Sequence, residues 1–370
     1  MGAAEGYSNG SIVTNTNDIG HGSLRSVITS SCSGDTIRFS PSLIAGGNAT
    51  IILTSQILIT KELQIVGLNP VSGNNLLISG GNTTRIFTIY NTGTVVLDSL
   101  NIINGNTTSN GGAISISNCD SVKILNTRVS NCTATNSGGA IYTDKSVLIL
   151  DHSSLNQNKA KTGGAIIARA TGTSSTHINI YNSNLDNNLA TYNGGGSGGA
   201  IESTSVSSYT AKSYISINNS SLSNNSATYG GGAISTFSSN DTLIIINSRI
   251  NNNNSKGGGG ISVLTSSGRL YNDSSYIKIK NSSIDSNSTS LEDGGGLNIE
   301  SLNLIINIEN STVSNNVSNY HGGGLYSKAN NYKVNINRLI VEGNETTIGK
   351  GGGLYFLGFD PTGTTMEFSM

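Results

Sequence analysis

The side chains best suited to acid–base chemistry lie at two recurring positions that the sequence pattern places on the outside of the molecule. The first position is the residue that follows each Gly-Gly-x-(Ile/Leu) motif, and it carries one carboxylate, Glu202. The second position follows the last apolar residue of a second repeated motif. It carries Asp186, Asp285 and Glu342, which lie on repeats that are not adjacent. Since stacked repeats of strands are about 4.8 Å apart, these acids are too far apart to work as the pair that polysaccharide cleavage needs. We therefore expect no catalytic site.

Metal and cofactor chemistry lacks a motif as well. The His and Cys residues are not clustered at zinc spacing, and the Gly-rich stretch 194–199 lacks the Lys of a phosphate loop and the Asp of calcium-binding repeats. The sequence predicts no cofactor and no metal. The three cysteines, Cys32, Cys119 and Cys132, are an odd number, so they cannot form a complete disulfide framework. We expect free buried thiols, with one bridge as the alternative.

The composition excludes most enzyme folds. The 370 residues include 47 Gly and 3 Pro, with 11% charged residues and no Trp, whereas an ordinary soluble domain has about 25% charged residues. The net charge of −1 offers no basic field for nucleic acid. No apolar run reaches the roughly 20 residues of a membrane span, and residues 1–10 lack a signal-peptide pattern. Helical bundles and α/β enzymes are therefore disfavoured.

Two short elements repeat along the chain. Gly-Gly-(Ala/Gly)-(Ile/Leu) occurs nine times at intervals of 25 to 36 residues, ending at Ile114, Ile141, Ile166, Ile201, Ile234, Ile261, Leu297, Leu325 and Leu354. Between these copies lies apolar-x-apolar-x-Asn-Ser-x-apolar-x-x-Asn, with its last apolar residue at Val129, Leu155, Leu185, Leu222, Ile250, Ile284, Val313 and Val341. Period-2 alternation in short Ile/Val/Leu runs indicates strands with one buried face.

The repeat predicts an all-β solenoid, a parallel β-helix of about 12 coils. A β-propeller is the runner-up, but its blades need about 40–50 residues. We predict an N-terminal arm and short capping helix over 1–35, irregular first coils over 36–97, regular repeats over 98–357 and a tail over 358–370, all in one domain. Within the arm, Ser23 is the predicted N-cap and Leu24, Val27 and Ile28 the buried face of the helix.

Asparagine recurs three residues after the apolar position of the second element. We interpret this column as a structural ladder of stacked amides, each accepting from one coil and donating to another. Its members are Asn158, Asn188, Asn225, Asn253, Asn287, Asn316 and Asn344, with Cys132 breaking the series. A second column holds Asn126, Asn182, Asn219, Asn247, Asn281 and Asn310, interrupted by His152 and Arg338.

The paired elements resemble the Gly-Gly-Ala-Ile and Phe-x-x-Asn repeats of polymorphic outer membrane proteins, with Leu, Ile or Val here in place of Phe. Gly22–Ile28 and Gly34–Phe39 resemble the opening of secreted right-handed β-helix proteins. The resemblance covers about residues 20 to 357. It implies a right-handed, single-stranded β-helix and an extracellular or cell-surface location; the crossover rule for parallel strands favours the same hand.

Three connections are longer than the others and are the predicted recognition loops. They span Arg169–Thr176, Thr204–Lys212 and Thr265–Ser275. Their candidate contact residues are Arg169, Tyr209, Lys212, Arg269 and Tyr271. Candidate glycosylation sites, which apply if the chain passes through a eukaryotic secretory pathway, are Asn106, Asn131, Asn219, Asn240, Asn272 and Asn281.

We expect a non-catalytic extracellular or cell-surface scaffold, acting in adhesion or as a structural subunit of a coat, appendage or filament. The alternative is a carbohydrate-active enzyme, a polysaccharide lyase or hydrolase of the β-helix type. The expected partners are surface glycans or proteins, or other copies of the chain. The last coil after Leu354 has no recognisable cap, which leaves three interpretations: further residues follow Met370, the last ten residues cover the coil, or its strand edges pair with a second molecule. We expect neither nucleic-acid binding nor a membrane span.

Overall fold

The computed structural model describes residues 11–68, 75–171, 174–192, 198–206, 212–238, 240–264, 274–358 and 367–369. Over these residues the chain winds into a parallel β-solenoid of about 11 turns. All strand pairings in the described part are parallel and join equivalent strands of neighbouring turns, as between Ile114 and Ile141 or between Ile217 and Ile245. The predicted parallel β-helix is thereby confirmed.

Each turn has four sides, which we call faces A to D in chain order. Faces A, B and C belong to one 29-stranded sheet and face D is a separate 9-stranded sheet, both counted over the described residues. Four strands continue across more than one of the first three faces: Phe87–Asp98, Ile114–Leu125, Leu297–Ser314 and Leu325–Glu342. The remaining strands each lie on a single face.

The single-face strands are short. Face A contains Ile57–Ile59, Ile141–Asp144, Ile166–Thr171, Ile201–Val206, Ile234–Phe237, Ile261–Leu264 and Leu354–Gly358. Face B contains Ile12–Val13, Asp35–Phe39, Leu63–Val66, Val147–Asp151, Thr176–Tyr181, Lys212–Asn218, Asn240–Ile246, Ser274–Lys280 and Glu367–Ser369. Face C contains Ala49–Ile52, Leu76–Ser79, Asn101–Ile103, Arg128–Ser130, Ser154–Asn156, Asn184–Asp186, Ser221–Ser223, Arg249–Asn251 and Ser283–Asp285. Face D contains Asn106–Thr107, Thr133–Ala134, Lys159–Ala160, Leu189–Ala190, Ser226–Ala227, Asn254–Ser255, Ser288–Thr289, Val317–Ser318 and Glu345–Thr346.

The core is a stack of aliphatic columns. On face B, the strand Asn240–Ile246 alternates between half-exposed and buried residues, and Leu243 and Ile245 point inward. The same inward column includes Ile217 in the previous turn, which is fully buried. Because a side chain alternates faces at each residue of a strand, the period-2 pattern of the sequence places these residues correctly.

The first turns are closed by helix α1, Leu24–Ser30. Ser23 caps it, accepting a hydrogen bond from the Ser26 N–H at 3.2 Å, and Leu24, Val27 and Ile28 are buried, as predicted. Asp18 pairs with Arg25 at 2.7 Å and also accepts the Thr54 N–H at 2.9 Å. These bonds attach the arm to the first turn. A short 3-10 helix, Pro41–Ile44, precedes the first face C strand, Ala49–Ile52.

One expectation about face A is wrong. The residue after each first-element apolar was expected to face solvent, yet Ile167, Glu202, Ser262 and Asn298 are at most 6% exposed. The glycine turn that leads into each strand covers this column. At Gly258, which has a φ of +70°, an added Cβ would lie 3.0 Å from the Cβ of Ser262 and 3.1 Å from that of Asn298. Glycine is therefore required at Gly258 both for the left-handed backbone and for the close approach.

Candidate functional site

The inner asparagine column forms a continuous buried ladder between faces C and D. In Asn188, both the backbone N–H and Nδ2 donate to Oδ1 of Asn225, at 2.9 and 3.0 Å, and Nδ2 also donates to the Leu155 carbonyl at 2.9 Å. The same three bonds recur from turn to turn up to Asn344. The ladder thus satisfies the polar groups of a buried corner, and it is structural rather than ligand-binding.

Cys132 takes the ladder position in an earlier turn. Its N–H donates to Oδ1 of Asn158 at 3.0 Å, and its Sγ accepts the Gly105 N–H at 3.3 Å. Burial raises the pKa of this thiol to about 12. The three cysteines are all free; Cys119 is buried, but Cys32 is exposed, so the expectation of buried thiols is wrong for Cys32.

A second buried ladder was not anticipated from the sequence. In Ser183, the N–H donates to Oγ of Ser220 at 3.0 Å, while its own Oγ donates to the Tyr181 carbonyl at 2.6 Å. Equivalent hydroxyls stand in successive turns at Thr127, Ser153, Ser183, Ser220, Ser248, Ser282 and Ser311. The signal was the serine that follows Asn in the second element.

The outer asparagine column lies at the corner between faces B and C and is exposed. Asn281 Nδ2 donates to Oδ1 of Asn247 at 3.1 Å, and Asn310 Nδ2 donates to Oδ1 of Asn281 at 3.3 Å. The backbones are left-handed, with φ of 50°, 50° and 47° at Asn247, Asn281 and Asn310, a conformation that Asn tolerates better than most residues. This corner borders an open groove of about 450 Å³.

The candidate glycosylation sites differ in access. Asn131, Asn219 and Asn281 are exposed, whereas Asn106 and Asn240 are half-buried. Asn272 lies outside the described residues. Asn219 and Asn281 are also members of the outer amide ladder. Their modification stays a prediction.

The candidate recognition residues are described only in part. Arg169 lies near the end of the face A strand Ile166–Thr171, and Lys212 begins the face B strand of the following turn. Both therefore border the corner between faces A and B. Tyr209, Arg269 and Tyr271 lie outside the described residues, so the predicted loop surface stays a prediction.

The pKa values of two buried carboxyl groups, Glu202 on face A and Asp241 on face B, are strongly shifted. Glu202 is 6% exposed, and burial raises its pKa to about 8 despite the opposing contributions of the Thr162 hydroxyl and the Arg169 guanidinium. Asp241 is 1% exposed, and burial raises its pKa to about 7. Both are therefore largely protonated at slightly acidic pH.

Asp241 points into the solenoid and is surrounded by hydroxyl groups. Thr236 Oγ1 donates to its Oδ2 at 2.8 Å, and Ser213 and Ser275 occupy the same inward position in the turns before and after. Asp241 Oδ1 and Ser275 Oγ form no hydrogen bond within the described residues. A protonated Asp241 carries an O–H that can donate to a neighbouring hydroxyl oxygen such as Ser275 Oγ, whereas an ionised Asp241 can only accept.

The acids on the outside do not form a pair. Asp186, Asp285 and Glu342 occupy the same register position on face C. At about 4.8 Å per turn, Asp186 and Asp285 are three turns or about 14 Å apart, and Asp285 and Glu342 are two turns or about 10 Å apart. Among the described residues, no group of three or more His, Cys, Asp or Glu side chains is arranged to hold a metal ion.

Comparison with known proteins gives one short match. Residues 219–240 match the Chlamydia polymorphic membrane protein repeat. The matched stretch holds the Asn219–Asn225 part of the second element and a full copy of the first, with Leu222 and Ile234 in the core and Asn225 in the inner ladder. No curated protein and no solved structure matches the chain. In the described part of the chain, no helix has the length and apolar character to cross a membrane.

Proposed function

We propose that this protein is a non-catalytic scaffold exposed at a cell surface, acting in adhesion or as a structural subunit of a surface coat, appendage or filament. The observation that carries the proposal is the match to the polymorphic membrane protein repeat. That match falls on core and ladder positions, so the similarity concerns the architecture of the turn itself. A surface location is consistent with this repeat family.

The interior of the solenoid supports a structural role. Each turn is fixed to its neighbours by backbone pairing and by two buried side-chain ladders, exemplified by Asn225 and Ser220. Such repeats are stabilised chiefly by contacts between neighbours. The result is a stiff rod whose corners and loops are free to differ between turns, which suits the display of binding surfaces.

The alternative function, a polysaccharide lyase or hydrolase, is favoured by the raised pKa values of Glu202 and Asp241, since acids of this kind serve as proton donors in glycosidases. Two observations weigh against it. Both carboxyls are at most 6% exposed, so a substrate cannot reach them without local opening. The acids Asp186 and Asp285, which are half-buried on face C, are too far apart for paired catalysis.

Surface glycans or surface proteins are the proposed partners of the rod. Association of two copies end to end is a second proposal, because parallel strand pairing continues wherever two edge strands meet in register. Val341, the inward residue on the face C segment of the strand Leu325–Glu342, is half-buried, whereas its counterpart Val313 in the turn before is fully buried. A copy docked on this edge would cover Val341.

Adhesion is tested with beads coated with the purified chain and applied to host-type epithelial cells. The expected result is binding above that of beads coated with an unrelated β-solenoid at equal density. A variant with the connections 169–176, 204–212 and 265–275 shortened to the length found in the other turns should keep its melting temperature and lose part of the binding. Unchanged binding would show that these loops are not the recognition surface.

The enzymatic alternative is tested with the same preparation on pectin, alginate and related polysaccharides. We expect no new reducing ends and no unsaturated products. Reproducible depolymerisation that disappears in a Glu202→Gln or Asp241→Asn variant would overturn the non-catalytic proposal.

A further inference from the structure

The groove at the corner between faces B and C is lined only by polar side chains. It spans three turns and has a volume of about 450 Å³. The lining residues that matter here are Asn247, Asn281, Asn310, Arg249, Ser283 and Thr312. A site of this composition suits a ligand that is rich in hydroxyl and charged groups rather than an apolar one.

The amides of the groove are held in place before any ligand arrives. The Asn281 amide donates one hydrogen bond to Asn247 and accepts one from Asn310. A carboxamide has two donor hydrogens and two acceptor lone pairs, so Asn281 keeps one donor and one acceptor for a ligand. A donor and an acceptor on one rigid amide match a sugar hydroxyl pair, and their fixed position lowers the entropic cost of binding.

Arg249 supplies the positive charge of the groove. It is exposed, and none of the four ion pairs among the described residues includes it. The nearby cation Lys280 is already paired with Glu309 at 2.8 Å. A guanidinium binds a carboxylate through two parallel hydrogen bonds, which makes a carboxylate the matching group on a ligand.

A second groove at the same corner, about 200 Å³ in volume, provides a contrast. It is lined by Asn126, Arg128 and His152. There, acids of the protein itself occupy the polar groups: Asp98 accepts from the Asn126 amide at 3.0 Å, and Asp151 lies 2.9 Å from His152 Nδ1. In the larger groove, Asn310 Nδ2 donates to Glu309 at 3.5 Å and Thr312 Oγ1 donates to Asp285 at 3.4 Å. Among the described residues, no acid is bonded to Asn281 or Arg249.

We propose that the groove formed by Asn247, Asn281, Asn310 and Arg249 binds a carboxylate-bearing saccharide. The sugar carboxylate pairs with the Arg249 guanidinium, and its hydroxyl groups hydrogen-bond to the free donor and acceptor of the stacked amides. Uronic acids and sialic acids share this chemistry, and the test below separates them. The inference deepens the adhesive role proposed above and rests on it only for access to surface glycans.

The test measures binding of 3′-sialyllactose and of tetragalacturonate to the whole chain by isothermal titration calorimetry, with neutral lactose as the ligand control. We expect one of the two acidic probes to bind and lactose to bind at least about tenfold more weakly, as the loss of a charged hydrogen-bonded pair implies. Binding of sialyllactose alone identifies a sialic acid, and binding of tetragalacturonate alone a uronic acid. If neither acidic probe binds, or if lactose binds equally well, the proposal is wrong.

Three variants locate the site. Arg249→Gln should weaken binding about tenfold or more, and Asn281→Gly should weaken it while keeping the left-handed backbone that position needs. Arg128→Gln, at the equivalent register position four turns earlier, should leave binding unchanged. Equal effects of Arg249→Gln and Arg128→Gln would overturn the assignment. Glycan binding without cell adhesion would refute the adhesive role alone, and adhesion that is unchanged in Arg249→Gln would place adhesion elsewhere.

Discussion

Replacement of Asp241 by Asn should change how the stability of the protein depends on pH. Asp241 is 1% exposed and lies among hydroxyl groups, with one bond from Thr236 at 2.8 Å. Burial raises its pKa from 3.8 to about 7. Below pH 3.8 the carboxyl is protonated in both the folded and the unfolded chain, so it imposes no ionisation cost on folding.

The cost appears as the pH rises. Between pH 3.8 and about 7 the unfolded chain releases this proton while the folded chain keeps it, so unfolding becomes progressively more favourable. A difference of about 3 pKa units corresponds to about 4 kcal/mol, reached near pH 7 and constant above it. Glu202, whose pKa rises from 4.5 to about 8, acts in the same direction up to about pH 8.

Asp241→Asn keeps the shape of the side chain and removes the ionisable group. The unfolding free energy of the variant minus that of the wild type should increase with pH. The increase should reach up to about 4 kcal/mol between pH 4 and pH 8. Thermal and urea unfolding followed by circular dichroism at pH 4, 6 and 8 measures this difference.

Comparison of variant with wild type cancels the titration of every other group, including Asp18, whose pKa is lowered by its bonds to Thr54 and Arg25 against the opposing effect of burial. The matched control is Asp120→Asn at an exposed position, which should leave the pH slope unchanged. If the pH slope of Asp241→Asn equals that of the wild type, Asp241 is not a buried, protonated acid and our reasoning fails.

Three further substitutions test the core and the ladders. Ile217→Asp places a carboxylate between two turns and should cost several kcal/mol, seen as loss of the folded circular dichroism signal, whereas Ser216→Asp on the half-exposed outer side should be nearly silent; equal effects would mean that the inward register is shifted by one residue. Asn225→Ala removes the acceptor of the Asn188 N–H and the donor to the Leu185 carbonyl. We therefore expect about 3 kcal/mol or more of destabilisation in urea unfolding, compared with less than about 1 kcal/mol for Asn219→Gly in the outer ladder. Similar losses would contradict the structural role of the inner ladder. Cys132→Asn should raise the melting temperature because it restores the ladder amide at this turn, and a lower melting temperature would show that the site cannot accept the larger polar side chain.

Much of the fold could be predicted because a stacked structure repeats its physics in every turn. Leu243 and Ile245 follow the alternation of a strand. An asparagine recurs three residues after the apolar position of the second element, as Asn225 does after Leu222. Periodicity alone therefore identified the core and the inner ladder. The sequence also contained the serine ladder through Ser220, but a serine column is inconspicuous in a chain so rich in turn-forming residues. Its role became clear only from the hydrogen bond between turns.

The errors have a common physical cause. Glu202 follows the inward residue Ile201 and was therefore expected to face solvent. That expectation would hold if no other segment covered the outside of face A. The glycine turn at Gly163 instead packs close to this column, where an added Cβ would come 3.0 Å from the Cβ of Ile167. The alternation of residues within a strand does not show whether a neighbouring segment covers the outward side chains. The groove beside Arg249 was missed for a similar reason, because it is formed by three successive turns rather than by one motif.

The direction of the bonds between turns determines how this rod would respond to a pulling force. The backbone bonds and the inner ladder bond from Asn188 to Asn225 both run from one turn to the next, so a load along the long axis stretches them rather than shearing them. Under such tension the turns would peel away one at a time from the loaded end. Each released turn of about 30 residues adds about 100 Å of slack at about 3.4 Å per residue. A rod of this kind would unfold turn by turn and dissipate work at each step. The force on the contact between the rod and its binding partner would then rise gradually rather than suddenly.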